Sequence, residues 1–173
     1  MNFEAIRRGG GVRRYHCYRV IAEDTVASHS WGVATIVDKL YGGNPPVHLL
    51  RAALYHDIAE YEVGDIPSPA KQALPEEGRK MLADWERAYE HSIGVHIDNL
   101  SEAESKVLKF ADCYDGYTYC QEEAFRGNGM MLEVAQTYRR YLKGLKEFFV
   151  TDGVIELSPS LCDNAIKLLE GIV

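Results

Sequence analysis

Imidazoles and carboxylates fall in this sequence where apolar residues are otherwise expected. His29 lies three residues after Val26 and four before Val33, so it points with them toward the inner face of a helix. His56 and Glu60 are four apart, on a face that otherwise carries Leu49, Ala52 and Ala53, and Asp57 sits beside His56. Leu108 and Ala111 lead into Asp112 and then Asp115, which puts carboxylates on a third apolar stripe. A single inward histidine is ordinarily a hydrogen-bonded core residue. Several such groups on three helices are harder to accommodate, because burying unpaired carboxylates costs several kcal/mol each. A divalent cation would satisfy them together. Two imidazoles with two carboxylates form a mixed N/O ligand set suited to Zn, Co, Mn or Fe, with coordination positions left open for chemistry.

The elements that must position these groups read as helices. Apolar residues Val26, Val33, Ile36, Val37 and Leu40 share a face over Thr25–Tyr41, capped by Asp24 or Thr25 and stopped by Gly42-Gly43-Asn44-Pro45-Pro46. A second helix is expected over Val47–Glu62, followed by a loop, Gly64-Asp65-Ile66-Pro67-Ser68-Pro69. A third covers Glu76–Ile93 and buries Met81, Leu82, Trp85, Ala88 and Tyr89. Ser101-Glu102-Ala103-Glu104 is a capping box that starts a long helix to Arg126, ended by Gly127-Asn128-Gly129. Helices over Met130–Val150 and Pro159–Glu170 follow, with a turn at Thr151-Asp152-Gly153 between them. No sustained period-two alternation interrupts this pattern. The expected fold is all-α, a single-domain helical bundle spanning residues 1–173.

Composition sets limits on partners. The 173 residues are 46% hydrophobic and 26% charged, an ordinary globular mixture. The formal net charge of −7 and the lack of a long basic run argue against polymeric nucleic acid as a ligand. No stretch approaches the ~18 uninterrupted apolar residues of a membrane span. The opening Met-Asn-Phe-Glu-Ala-Ile-Arg-Arg lacks the apolar core of a signal peptide, so a cytoplasmic location is expected. Cys17, Cys113, Cys120 and Cys162 form no Cys-x-x-Cys pair and read as buried thiols. His91 and His96, five apart, do not share a helical face, and His48 after the prolines reads as solvated.

His29, then His56-Asp57, then Asp112 resembles the H…HD…D pattern of the HD-domain metal phosphohydrolases. Arg14-Tyr15, Glu23–Ser30, His56–Glu60, Gly64–Lys71 and Lys109–Asp112 are similar, in order, to the bacterial 5′-deoxynucleotidase branch, which includes small phage dATP triphosphohydrolases. The likeness covers roughly two thirds of the chain. It implies an HD-type bundle in which His29, His56, Asp57 and Asp112 hold a divalent metal (Co, Zn, Mn or Mg). Glu60 would orient or deprotonate the attacking water or help hold a second cation, and Asp65 would accept a hydrogen bond from the sugar 3′-OH. Lys71 would meet phosphate, Arg14 phosphate or base, and Tyr15 would stack on the base where relatives carry Trp. Cys17 occupies a position that could line the base edge, although simple packing is the favoured explanation.

The implied substrate is a small deoxynucleotide hydrolysed at the α-phosphorus. The shortness of the chain, especially between Lys71 and Asp112, resembles the phage dATP enzymes more than the longer bacterial nucleotidases, which implies release of triphosphate from dATP over release of phosphate from a deoxynucleoside monophosphate. Arg13, Arg19 and Lys106 could add phosphate contacts, with surface charge their default explanation. A nucleotide-sensing module without turnover is the reading from another class, and the water-activating Glu60 argues against it. The resemblance further implies a homo-oligomer and, if the chain is phage-encoded, a place in the host cytoplasm.

Overall fold

The computed structural model describes residues 2–97, 100–151 and 157–172. Its helices are α1 (Phe3–Gly10), α2 (Val26–Leu40), α3 (Val47–Tyr55), α4 (Glu60–Val63), α5 (Ser68–Ala73), α6 (Glu76–Ser92), α7 (Glu102–Phe125), α8 (Met131–Val150) and α9 (Pro159–Glu170). No strand occurs among the described residues; one isolated antiparallel bridge joins Arg13 to Thr25. The all-α expectation holds. α1, only eight residues long, has no counterpart among the expected helices.

Local chemistry explains the boundaries. Thr25 caps α2 in a reciprocal box with Ser28, and Ser101 caps α7 in the same way with Glu104. The long α7 packs against α8 and α2, and α2 against α3. Between them lies the main core, centred on Val33, Val37, Leu40, Leu49, Phe110, Leu142 and Phe149. The side chains of His29 and Asp112 therefore start from two helices already fixed against each other by apolar burial.

Four expectations need correction. The helix expected over Val47–Glu62 breaks after Tyr55. The amides of Ile58, Glu60 and Glu62 bond to carbonyls three residues back (Tyr55, Asp57 and Ala59), so His56-Asp57-Ile58-Ala59 is a tighter turn between α3 and α4. Gly64, with φ of +78°, then ends α4 in a conformation that favours glycine. The loop expected over residues 64–69 is shorter, because Pro69 sits in the first turn of α5 where its missing amide costs nothing.

The stripe expected to be buried on α6 is covered only in part: Leu82 and Tyr89 are half-buried, Tyr89 against the Ile58, Ile93 and Val95 cluster, but the rest is exposed. Met81 is 72% exposed and Trp85 37%, and α6 has little contact with any other helix. The cysteines also divide: Cys113, Cys120 and Cys162 are buried and unpaired, whereas Cys17 is exposed. The turn expected at Thr151-Asp152-Gly153 begins at Thr151; its other two residues lie outside the described residues.

Candidate metal centre

α2, the turn after α3, and α7 bring four of the expected groups together. His29 Nε2 lies 3.3 Å from His56 Nε2, 3.3 Å from Asp112 Oδ1 and 3.7 Å from Asp57 Oδ2. His56 Nε2 is 3.5 Å from the same Asp57 oxygen. One ligand atom each from His29, His56 and Asp112 lies within 4.8 Å of the others. Asp57 approaches both histidines but does not complete that mutually close set. His29 is fully buried, and the others are partly buried at the rim.

The hydrogen bonds on the far side of each ring decide where the lone pairs point. His56 Nδ1 lies 3.0 Å from the Ala53 carbonyl, which can only accept, so Nδ1 carries the proton. His29 Nδ1 lies 2.7 Å from a carboxylate oxygen of Asp115, with the same consequence. In their neutral forms both rings thus turn an unprotonated Nε2 into the cluster, 3.3 Å apart. Two such lone pairs facing each other beside carboxylates repel unless a proton or a cation lies between them. This donor set fits a divalent ion.

Electrostatics agree. Burial opposes the charge on His29, but hydrogen bonds to Asp112 and Asp115 outweigh it and push its pKa up to about 9. Asp112 is held well below the usual carboxylate range: its burial is outweighed by His29 and Lys109. Asp57 is also lowered, with burial outweighed by His56 and His29. Glu60 goes the other way. Burial first, then the charges of Asp57 and Asp65, raise it to about 8 despite Lys71 and Arg14. Its Oε2 is buried without a partner among the described residues. A carboxyl with a pKa near neutrality beside such a cluster can both hold and release a proton under working conditions.

The remaining expected residues are each held by contacts of their own. Arg14 is buried and paired with Asp24 at 3.1 Å, and its Nε has no partner among the described residues. Tyr15 has a φ of 55°, unusual for a residue with a side chain, and its amide donates to Asp65 Oδ2 at 3.0 Å. Asp65, expected at a sugar hydroxyl, thus braces the Arg14–Tyr15 loop. Tyr15, expected open to a base, is 8% exposed; its ring stacks on Tyr119 at 4.8 Å and its hydroxyl meets that of Tyr138 at 3.0 Å. Lys71 pairs with Glu86 of α6 at 3.5 Å, and Lys109 pairs with Asp112. Exposed Cys17 lies just beyond this loop.

Other groups contribute that spacing alone did not single out. Asp24 holds Arg14 from ten residues away, a separation with no periodic signature. Glu123, fully buried, accepts from the amides of Ile21 and Ala22 and from Asn128, which ties the loop before Asp24 to the end of α7. Asp115 was visible on the Asp112 stripe but without a role. His91 and His96, separated by the end of α6, meet edge to face with ring centres 4.7 Å apart, because the chain turns back at Gly94. His48 is half-exposed as expected, but it pairs with Glu104 at 2.7 Å.

The family described as 5′-deoxynucleotidase YfbR-like matches residues 2–93. A 5′-deoxynucleotidase of Vibrio cholerae is 31% identical over 157 residues, covering 79% of this chain and 79% of that protein. One from Erwinia tasmaniensis is 28% identical, covering 70% of this chain and 72% of that protein. In fold, the chain is similar to an HD-domain phosphohydrolase from Listeria innocua (TM-score 0.65, 21% identity), over 98% of this chain and 95% of that one. It is also similar to the cyanophage S-2L HD phosphohydrolase DatZ, bound to dA and one catalytic Zn2+ ion (TM-score 0.62, 20% identity), over 99% of this chain and 96% of that one.

Proposed function

The chain belongs to the YfbR-like 5′-deoxynucleotidase family, and from this premise we infer that it releases inorganic phosphate from deoxynucleoside 5′-monophosphates. At the coarser level it is a metal-dependent phosphoric ester hydrolase acting on deoxynucleotides. The observation that carries the reading is the convergence of two Nε2 lone pairs with the carboxylates of Asp57 and Asp112. We assign those four residues as the holders of the divalent ion. Such an ion supplies Lewis-acid polarisation of a phosphoryl oxygen and makes a water more acidic.

The chain's own groups do the rest. Glu60, whose Oε2 has no partner among the described residues and whose pKa is raised to about 8, holds or accepts the proton that moves as water attacks phosphorus. Arg14 offers a buried guanidinium whose Nε is unpartnered among the described residues, and Lys71 offers a partly exposed ammonium, both suited to phosphate oxygens. Asp65 acts through Tyr15, holding the strained loop that presents Arg14. Asp112 lies on α7, beyond the segment matched by the family, so residues 1–173 act as one catalytic unit on this reading.

The charges favour the monophosphate. Arg14, Lys71 and Lys109 each already face a carboxylate (Asp24, Glu86 and Asp112), which leaves little unpaired positive charge for a triphosphate. The second reading, release of triphosphate from dATP, is favoured by the end-to-end match to DatZ, which spans 99% of this chain and 96% of that one. Self-association, through the apolar side of α6 left uncovered, belongs to the same proposal. No helix among the described residues is long and apolar enough to cross a membrane.

Product analysis by ³¹P NMR separates the readings. With Co2+ or Mn2+ present, orthophosphate should appear from dAMP. Triphosphate from dATP with dAMP untouched would select the second reading. Nucleotide binding without either product would make the chain a sensor and overturn both.

A further inference from the structure

The two histidines differ in what holds their far side. His56 donates to a main-chain carbonyl, whereas His29 donates to a carboxylate, Asp115 Oδ2, at 2.7 Å. Asp115 stands on α7 close to one turn beyond Asp112 and reaches across to α2. Glycine at position 32 makes that reach possible. A Cβ on Gly32 would lie 1.9 Å from Asp115 Oδ1 and 2.7 Å from its Cγ, distances at which the carboxylate could not stay in place. One oxygen of Asp115 therefore lies over Gly32 while the other meets His29. Gly32 and His29 sit three residues apart on α2, so a notch and a buried ring on one helix receive one carboxylate from the other.

Resting on the metal-dependent reading above, we propose that Asp115 is a positioning residue for the metal centre and that Gly32 acts through it. Asp115 fixes the proton of His29 on Nδ1, orients the ring, and makes Nε2 a stronger donor to a cation. His56, backed by a neutral carbonyl, receives no such charge. The competing account makes Asp115 a tie between α2 and α7 with no bearing on metal. The two differ in metal affinity, because removing a charged partner behind a ligating histidine weakens metal binding by roughly 10–100-fold.

The test titrates the metal-stripped full chain with Co2+ by calorimetry, without nucleotide. Asp115→Ala should bind Co2+ about 10–100-fold more weakly than the parent, and Asp115→Asn, which keeps an acceptor but not the charge, should fall between them. Gly32→Ala should weaken binding too, since the added methyl displaces the carboxylate. In the Gly32→Ala/Asp115→Ala double variant the glycine change should add nothing further, the signature of two positions acting through one contact. Circular dichroism checks that each variant keeps its helices, and if Asp115→Ala loses them, the isosteric Asp115→Asn decides. A Kd for the Asp115 variants within about twofold of the parent overturns the proposal, as does a full additional loss in the double variant. If the parent itself takes up no Co2+, the metal-dependent reading falls and carries this one with it. If the parent binds and the variants match it, this inference alone fails.

Discussion

The metal centre and helix α6 carry the same kind of signal in sequence and meet opposite fates. Both are amphipathic helical segments with residues that break the expected pattern. Around the centre, α2, α3 and α7 bury their stripes against one another and against α8, and the histidines and carboxylates are carried inward with them. On α6 the stripe of Met81 and Trp85 faces outward, and the one buried position is Glu90. Burial pushes the Glu90 carboxyl up to about 7, with the nearby charge of Glu86 adding to it. Helical periodicity therefore specifies a face; whether that face is covered depends on a partner element that periodicity does not name. In the centre the partners lie within the chain, which holds the ligand atoms in place before any ion arrives.

The largest effect should come from removing a ligand. Asp57→Ala should lower phosphate release by roughly three orders of magnitude while leaving the helical circular-dichroism signal intact, since it removes one of several mutually repelling carboxylates. Activity within a few-fold of the parent would break the contrast by making the centre as dispensable as α6. Phe110→Ala, in the core that fixes α7 against α2, should cost about 3–5 kcal/mol in denaturant unfolding.

The metal-free protein should also lose stability as pH rises. Glu60 holds its proton to about 8 in the fold against an ordinary 4.5, and His29 to about 9 against 6.5. Both protons are bound more tightly folded than unfolded, so the stability they bring is present at low pH. It disappears progressively between 4.5 and 8 for Glu60 and between 6.5 and 9 for His29. The lowered Asp57 and Asp112 act in the opposite sense, below the ordinary carboxylate range. Thermal melts of the stripped protein should therefore peak near pH 5 and decline toward pH 9, a trend that added Co2+ should flatten. The smallest effect belongs to α6: Met81→Ala should change stability by no more than ~0.5 kcal/mol. A larger loss, dependent on protein concentration, would show that the stripe is covered by a second copy.

Much of this was legible in the chain. The capping boxes at Thr25 and Ser101, the stop at Gly42-Gly43, and the placement of His29 on α2 and Asp112 on α7 follow from short-range patterns. What escaped depends on longer-range geometry. The break after Tyr55, where three-residue hydrogen bonds replace an uninterrupted helix, has no breaker residue in the sequence to announce it. The Arg14–Asp24 pair and the bracing of Tyr15 by Asp65 join loop to loop, and the stacking of Tyr15 on Tyr119 joins a loop to α7, with no periodic trace in the sequence. Asp115 was visible as a residue but not as a partner. Its meaning depends on Gly32, and a glycine inside a helix declares a close approach only when the approaching group is known.

The central claim is that a divalent ion held by His29, His56, Asp57 and Asp112 is required for hydrolysis. Phosphate release from dAMP by the chelator-treated protein, followed as Co2+ is added back, tests it directly. The account predicts no release without the ion, recovery on its return, and no recovery in Asp112→Ala. Undiminished release from the stripped protein, or full recovery in that variant, would contradict it.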